Sequence, residues 1–354
     1  MANLESGSIQ PNYVCPLCRQ PVLLEQARYR CLACGRNYAI HFGIPDFRTF
    51  DPPYVSISGD VAEAGRLAER FDELDFAGMV RWKYVSTDLA PDLLEKYTRF
   101  RLQNVQRGRQ RVETMRQAID RAGRSWPQGA ALDLGCGVGG MVVAMAPHMQ
   151  RVVGADIFLV DLILAKRLLA DHGIQATLVC CCAEFLPFPD DTFGLINSND
   201  TIEHVQDQSR MVAEAVRVLA RWGCLTLDTP NRYALFTPEP HVNLRWVGFL
   251  PRQLQAPYVW WRRKTHYQEI RLLSMGELNR LVADATPGTR HVLLYRPLID
   301  VTRAPRSLRG RWLRRVPWLE GPLNALLKNF IFNYDVVVWK DAQAAPGAKQ
   351  ILPL

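Results

Sequence analysis

The sequence predicts an α/β protein built on a mainly parallel, seven-stranded sheet, with a small cysteine-rich unit ahead of it and a helical and aromatic lid. Three observations carry this. From Ala130 onward, apolar runs of strand length alternate with helical periodicity, the signature of βαβ units. The glycine-rich run LDLGCGVGG at 132–140 stands between the first of those strands and the first of those helices. Four cysteines fall as two C-x2-C pairs within 15–34, well ahead of the alternation.

In chain order, residues 11–50 form the cysteine-rich unit, and the paired prolines of DPPYVS at 51–56 mark a linker, because proline blocks regular structure. Residues 60–123 read as helical. Leu67, Phe71 and Leu74 recur at helical spacing, as do Leu89, Leu93, Leu94 and Tyr97, and Arg99 to Ile119 reads as one long basic helix. The segment SWPQG at 125–129 stops it, so 51–127 is linker and helical lid. Strands are expected at 130–134, 151–156, 176–181, 193–199 and 223–230, with helices at 140–148, 159–171 and 205–219 between them. Residues 231–273 break the rhythm with prolines and aromatics and read as an insertion. A helix over 274–285 opens with Ser274 as N-cap and Glu277 at the capping-box position. HVLLYRP and NYDVVVWKD supply the last two strands and close the main domain at 128–340. The tail, 341–354, reads as flexible.

The chain's 354 residues suffice for two domains and an accessory module, and 48% hydrophobic content excludes a disordered chain. No apolar run reaches about eighteen residues, so no membrane-spanning helix is expected. Met1 to Gln10 lacks the apolar core of a secretory signal. A soluble, cytoplasmic protein is the expectation. The net charge of +8 is unevenly placed: residues 241–354 hold 18 Lys+Arg against 7 Asp+Glu, and residues 1–240 hold 25 against 28. The C-terminal third also holds six of the nine Trp. A basic, Trp-rich third suits an acidic partner such as nucleic acid, a phosphorylated glycan or an anionic membrane, or else is a solvated face over core tryptophans.

Twelve residues separate the pair Cys15 and Cys18 from the pair Cys31 and Cys34. Each pair can curl into a turn that aims two thiolates at one ion, and two such turns complete the tetrahedral sulfur set that suits structural zinc. A unit this short cannot bury a sufficient core, so the metal would supply its folding energy. Two redox pairs are the alternative, disfavoured by the lack of a thioredoxin-like βαβ context. Cys136, Cys180, Cys181, Cys182 and Cys224 lie in apolar stretches and read as buried, reduced thiols, which fits a reducing compartment. YVCPLCRQPV and YRCLACGRNYAIHFGIPDF, within 12–48, resemble the zinc-ribbon proteins related to the small activating subunit of tRNA and protein methyltransferases. That resemblance implies a protein–protein or activator module fused to its client.

In the glycine-rich run, Gly135, Gly137 and Gly139 let the backbone turn sharply and approach a ligand without a Cβ clash. Asp156 ends the second strand, where a carboxylate can accept from both ribose hydroxyls of a nucleoside cofactor. The spacing is G-x-G-x-G, and Asp133 precedes the first glycine by two places; both turn the reading away from a dinucleotide enzyme. LDLGCGVGG, VVGADI, CAEFLPFPDDTFGLINSNDTIEHV and LTLDTPN, in this order, resemble the class I S-adenosylmethionine (SAM) methyltransferases, in particular quinone-biosynthesis and natural-product members. The resemblance covers 128–231 and implies their Rossmann-like fold. It implies SAM as cofactor, with Gly135 and Gly137 against the methionine part and Asp133 near its amino group. Asp156 would bind the ribose and Ile157 lie beside the adenine, with Cys182, Ala183 and Glu184 along the adenine edge and Asn199 counted with the cofactor site. The family often has Asp where Cys182 stands. Cys is a poor acceptor, so a backbone group replaces it or SAM affinity is reduced.

Methyl transfer needs an aligned acceptor and, where the acceptor carries a proton, a base. His204 is the best base candidate because its pKa lies near neutrality, and Asp200 joins it after the fourth strand. Glu203 could instead serve only the helix dipole. His241, Arg252, Tyr258 and Tyr267 of the insertion are candidates for acceptor binding, because aromatic faces and guanidinium forks suit sugars, aromatic rings and phosphates. Exocyclic-amine methyltransferases of adenine and cytosine resemble one another in a [DNS]-P-P-[YFW] turn after the fourth strand; Asn197-Ser198-Asn199-Asp200 stands here instead, so the comparison disfavours amino-base methylation but not ring-nitrogen methylation of guanine. Residues 303–331 read either as an interfacial helix for peripheral membrane contact or as a core helix before the last strand. The leading expectation is methyl transfer from SAM to an O, N or C atom of a small or medium acceptor: a natural product, a quinone-like molecule, or a glycan- or lipid-linked intermediate. An RNA (rRNA or tRNA) methyltransferase with a zinc module and a non-catalytic SAM-binding scaffold are the alternatives.

Overall fold

The computed structural model describes residues 12–85, 91–267, 269–296, 317–340 and 350–354. The chain divides into two compact units. The first holds 1–112, 128–196 and 217–220, and the second 113–127, 197–216 and 221–354.

The first unit opens with four antiparallel strands in sequential order: β1 (Val22–Glu25), β2 (Arg28–Cys31), β3 (Asn37–His41) and β4 (Ile44–Pro45). Their core is a knot of rings. Tyr13, Tyr29 and Tyr38 each place a ring centroid 5.0–5.4 Å from that of Phe47, and all four side chains are buried. Four helices follow: α1 (Ile57–Ala68), α2 (Phe76–Val85), α3 (Pro91–Leu102) and α4 (Asn104–Arg121). Ser56 caps α1 by accepting from Gly59 N at 3.1 Å. The single helix expected from Arg99 to Ile119 is instead broken at Gln103. The break lies beside a close backbone approach: a Cβ on Gly108 would lie 2.6 Å from Gly140 O, and one on Gly140 would lie 2.6 Å from Asn104 C. Only glycines allow that contact.

β5 (Ala130–Leu134), α5 (Gly140–Met145), β6 (Arg151–Asp156), α6 (Leu159–Asp171), β7 (Thr177–Cys180) and β8 (Phe193–Asn199) continue the unit as βαβ repeats. Their order is β8-β5-β6-β7, with β5, β6 and β7 parallel. The strands are buried on both faces and read accordingly as continuous apolar runs.

α7 (Gln208–Val218) and β9 (Leu219–Pro230) lead on through the second unit, which contains α8 (Arg252–Arg263), α9 (Met275–Ala285), β10 (Thr289–Tyr295), α10 (Glu320–Leu327), β11 (Asn333–Lys340) and β12 (Gln350–Pro353). The order is β12-β10-β11-β9; β11 is antiparallel to both neighbours, and β12 is parallel to β10. α9 has the expected capping box of Ser274 and Glu277. The mainly parallel sheet is thus present, with one strand more than the seven expected. That strand, β12, lies in the tail expected to be flexible. Its apolar residues pair Leu293 with Ile351 and Leu294 with Leu352, and Leu354 N donates to Tyr295 O at 2.9 Å. Among the described residues no helix is long and apolar enough to cross a membrane. Of the stretch 303–331, residues 303–316 lie outside the described residues.

Candidate active site and metal centre

After β5 the chain turns through Gly135 (φ +81°) and Gly137 (φ +50°) and enters α5 at Gly139 (φ +81°). These left-handed angles are why the sequence carries glycine at three alternate places. Gly135 N and Cys136 N both donate to Ala155 O, at 2.8 and 3.0 Å, so the loop is pinned to the end of β6. Asp156 completes the ring: Oδ2 accepts from Gly137 N at 2.8 Å and Oδ1 from Phe158 N at 2.9 Å. Each oxygen keeps a further lone pair, so the carboxylate can still take hydroxyl donors. Burial, and next the nearby Asp161, push its pKa up to about 6 against the pull of those two amides and Arg101. A Cβ on Gly137 would meet only Arg101 Nη1, at 3.6 Å, so the loop backbone is open to a ligand. Arg101 is held by Asp161 at 2.9 Å, and Lys83 reaches the same carboxylate at 2.9 Å. Open glycine backbone beside a strand-terminal carboxylate fits a nucleoside cofactor with a ribose diol.

The residues expected along the adenine adjoin the segment that follows the N-terminal strands. Ile157 O accepts from Arg48 Nη1 at 3.2 Å and from Cys180 Sγ at 3.5 Å. Arg48 is buried and bonded to Asp46 and Asp60, each at 2.6 Å. Asp60 also accepts from Leu159 N at 2.8 Å, at the start of α6. Phe47 N donates to Cys180 O at 2.7 Å, and Val14 N to Pro187 O at 3.0 Å. Cys182, the departure from the family pattern, is buried with its sulfur 3.5 Å from Thr49 N and 3.7 Å from Thr49 Oγ1. The segment leaving the cysteine-rich unit therefore occupies its polar capacity. Ala183 and Glu184 follow in a turn closed by Phe185 N and Cys182 O at 3.0 Å.

The four N-terminal cysteines converge. Cys15 and Cys34 sulfurs are 3.6 Å apart, those of Cys18 and Cys31 3.4 Å, and all four lie within 4.8 Å of one another. Sulfurs about 2.3 Å from one tetrahedral zinc stand about 3.8 Å apart, so the donor set fits that ion. Both knuckles are alike: Arg19 N donates to Cys15 O at 2.8 Å, and Gly35 N to Cys31 O at 2.9 Å. Arg19 and Gly35 are both left-handed. The Tyr38 hydroxyl lies 3.0 Å from Cys15 Sγ. The Arg36 amide, ahead of the neighbouring sulfurs, brings the Cys34 thiol down to about 6.

In the second unit, His204 and His241 meet with Nε2 atoms 3.1 Å apart. His241 Nδ1 lies 2.5 Å from Glu239 Oε1, and the buried Tyr267 hydroxyl bonds to the same carboxylate. Burial, then His241, lowers the His204 pKa to about 4. Glu203 sits in the 3-10 turn Ile202–His204, fully buried, with Thr229 Oγ1 donating to Oε2 at 3.1 Å. Burial and Asp200 push its pKa well up. Glu203, His204 and His241 are the second group of ligand atoms, among the described residues, that converge within 4.8 Å.

Asp200 begins this loop with a left-handed backbone (φ +48°), its amide donating to Asp228 O at 3.2 Å. Asn199 ends β8, and its carbonyl accepts from Thr201 Oγ1 at 2.8 Å. Of the four acceptor candidates, His241 and Tyr267 join the histidine cluster. Arg252 does not: it is bonded to Glu277 at 2.7 Å and Leu272 O at 3.1 Å, tying α8 to the capping box of α9. Tyr258 packs against the small core beneath α8. Sequence reasoning missed Glu239; its one signal was the spacing Glu-Pro-His. It also missed an open cleft bordered by Tyr233, Phe249 and Phe330.

Comparison with known proteins agrees with this geometry. A methyltransferase-domain family matches residues 132–227. The chain is 32% identical over 129 residues to YcgJ of Bacillus subtilis, an uncharacterized methyltransferase, across 36% of this chain and 49% of that protein. It is 29% identical over 181 residues to the ubiquinone biosynthesis O-methyltransferase of Chelativorans sp., spanning 50% of this chain and 66% of the relative. With the corresponding protein of Mesorhizobium japonicum the figures are 30% over 184 residues, 51% and 69%. The chain thus spans between half and about two thirds of the length of these relatives. It belongs to the class I SAM-dependent methyltransferases.

Proposed function

We propose that this chain transfers a methyl group from SAM to an O, N or C atom of a small or medium acceptor, with His204 as the base and zinc held by Cys15, Cys18, Cys31 and Cys34. A quinone-like, natural-product or glycan- or lipid-linked acceptor suits the aromatic insertion. Bound SAM would supply an electrophilic methyl for in-line displacement, with S-adenosylhomocysteine as the leaving group. Asp156 would accept from its ribose, and the open glycine backbone would leave room for its methionine portion.

The observation that carries the base assignment is the chain Glu239–His241–His204. Glu239 takes the Nδ1 proton of His241, so His241 Nε2 presents a lone pair to the Nε2 proton of His204. Nδ1 of His204 is then the lone-pair nitrogen. A pKa of about 4, below the near-neutral value expected from sequence, keeps the ring neutral and able to accept a proton but makes it a weaker base, so the assignment rests on the hydrogen-bonded chain rather than on the pKa.

The test is transfer from radiolabelled SAM to a panel of catechols, phenols, amines and lipid-linked glycans. His204→Gln should reduce transfer about a hundredfold, within the usual range for general bases, while S-adenosylhomocysteine affinity by calorimetry stays level. Equal transfer by the variant overturns the base assignment. Cofactor binding without transfer to any acceptor class favours a non-catalytic SAM-binding scaffold.

A further inference from the structure

α8 is apolar on two sides. A surface helix ordinarily turns one apolar stripe inward and leaves the rest polar. In α8 Val259 belongs to a small core with Val247 and Tyr267, and Ala256 and Tyr258 pack against that core, with Gln255 buried beside them. The opposite side carries Leu254, Pro257 and Trp261 at three- and four-residue spacing, with Trp260 beside them. Leu254 is 54% exposed, Trp260 49% and Trp261 66%. The charges stand apart at the C-terminal end: Arg262, Arg263 and Lys264 are all exposed, and the Arg262 guanidinium lies 5.4 Å from the Trp261 ring centroid. Across 240–268 the sequence has five Arg and Lys and no Asp or Glu.

We propose that this ridge is a membrane-contact surface, lying in the plane of an anionic bilayer with the two indoles and Leu254 at the headgroup–acyl boundary and the basic cluster among the phosphates. Indole rings favour that boundary because one edge is apolar and the other donates a hydrogen bond. A fluid bilayer receives a convex ridge without a shaped groove, whereas a folded partner would need one. Of the five cations Arg252 is paired with Glu277, whereas Arg262, Arg263 and Lys264 stand exposed at one end of the ridge and complement negative lipid, each contributing attraction that salt weakens. At 12 residues α8 is too short to span a bilayer, which needs about 20, so it lies flat. This contact does not depend on which acceptor is methylated. It places the surface on the insertion, ahead of the stretch 303–331 singled out from sequence.

The test uses the full-length protein with sedimented vesicles of phosphatidylcholine alone or mixed with phosphatidylglycerol, and indole fluorescence. The protein should partition onto the mixed vesicles with a blue shift, and far less onto neutral ones. Trp260→Ser with Trp261→Ser should reduce partitioning at least tenfold. Arg262→Glu should reduce it and flatten its salt dependence. Both variants should keep the parent's S-adenosylhomocysteine affinity, which separates loss of the surface from loss of the fold. Partitioning unchanged in the double variant overturns the proposal, as does failure of the parent protein to bind anionic vesicles. A dimer in sedimentation equilibrium that the tryptophan substitutions disperse, without vesicle binding, shows a second copy as the occupant and also overturns it.

Discussion

The Asp156 carboxylate fastens Gly137 and Phe158 by their amides and keeps lone pairs that, in the proposed function, would accept from a ribose. Asp156→Asn leaves one strong acceptor and no charge. S-adenosylhomocysteine affinity should fall at least tenfold, about 1.4 kcal/mol, by titration calorimetry. Because burial raises this group to about 6, the cofactor-free protein binds a proton there in mild acid, and binding must expel it. Affinity should therefore decline as pH falls through about 6, and the Asn variant should lack that dependence. Parallel pH profiles for the two proteins would refute the assignment. At this scale the sequence was legible wherever residues sit within one βαβ unit, as the glycines and Asp156 do. Glu239 was not legible. It stands between two prolines with no periodic pattern, and its meaning comes only from His241 and His204 converging on it.

At the scale of elements, the cysteine-rich unit was legible as four spaced ligands, but its seat was not. Arg48 meets Asp60 from 12 residues away and Ile157 O from 109 away, and no local pattern encodes such contacts. The break at Gln103 was hidden for the same reason, since it lies beside a close approach of two glycines from different helices. Arg48 is the side chain that joins β4, α1 and the start of α6. Arg48→Met would strand Asp46 and Asp60 as buried charges, a change that typically costs about 3–5 kcal/mol. It also releases Ile157 O, the residue proposed to lie beside the adenine. We therefore expect a lower urea midpoint and weaker S-adenosylhomocysteine binding, with metal analysis still finding one zinc per chain. With zinc on Cys15, Cys18, Cys31 and Cys34 as proposed, treating the parent protein with a chelator should weaken cofactor binding in the same direction. Undiminished affinity in both experiments would mean that the ribbon and the cofactor loop are independent.

Over the whole molecule, the uneven charge was plain from sequence, whereas β12 was not, because a four-residue apolar terminus becomes a strand only when β10 offers an open edge. Titration is where buried groups throughout the chain act together. Asp161, despite burial, is held well below its usual value by Arg101 and Lys83. A depressed acid stabilises the fold above its unfolded value of 3.8, and that contribution is lost as pH falls below it. His204, depressed from 6.5 to about 4, likewise contributes stability above 6.5 that is lost between those values. Asp156 and Glu203 have raised values and the opposite sign: their contribution is present when they are protonated and lost as pH rises. The windows of His204 and Asp156 overlap and oppose each other. Glu203 adds to Asp156, so the urea midpoint of the cofactor-free protein should rise slightly as pH falls from 6.5 to about 4 and drop steeply below 3.8. Asp161→Asn leaves Arg101 and Lys83 short of a counter-charge, so its midpoint should be lower at pH 7 and its acid limb shallower. His204→Gln removes the one group that opposes the rise, so its midpoint should climb more steeply as pH falls from 6.5 to 4. Three parallel curves would show that acid sensitivity arises elsewhere in the molecule.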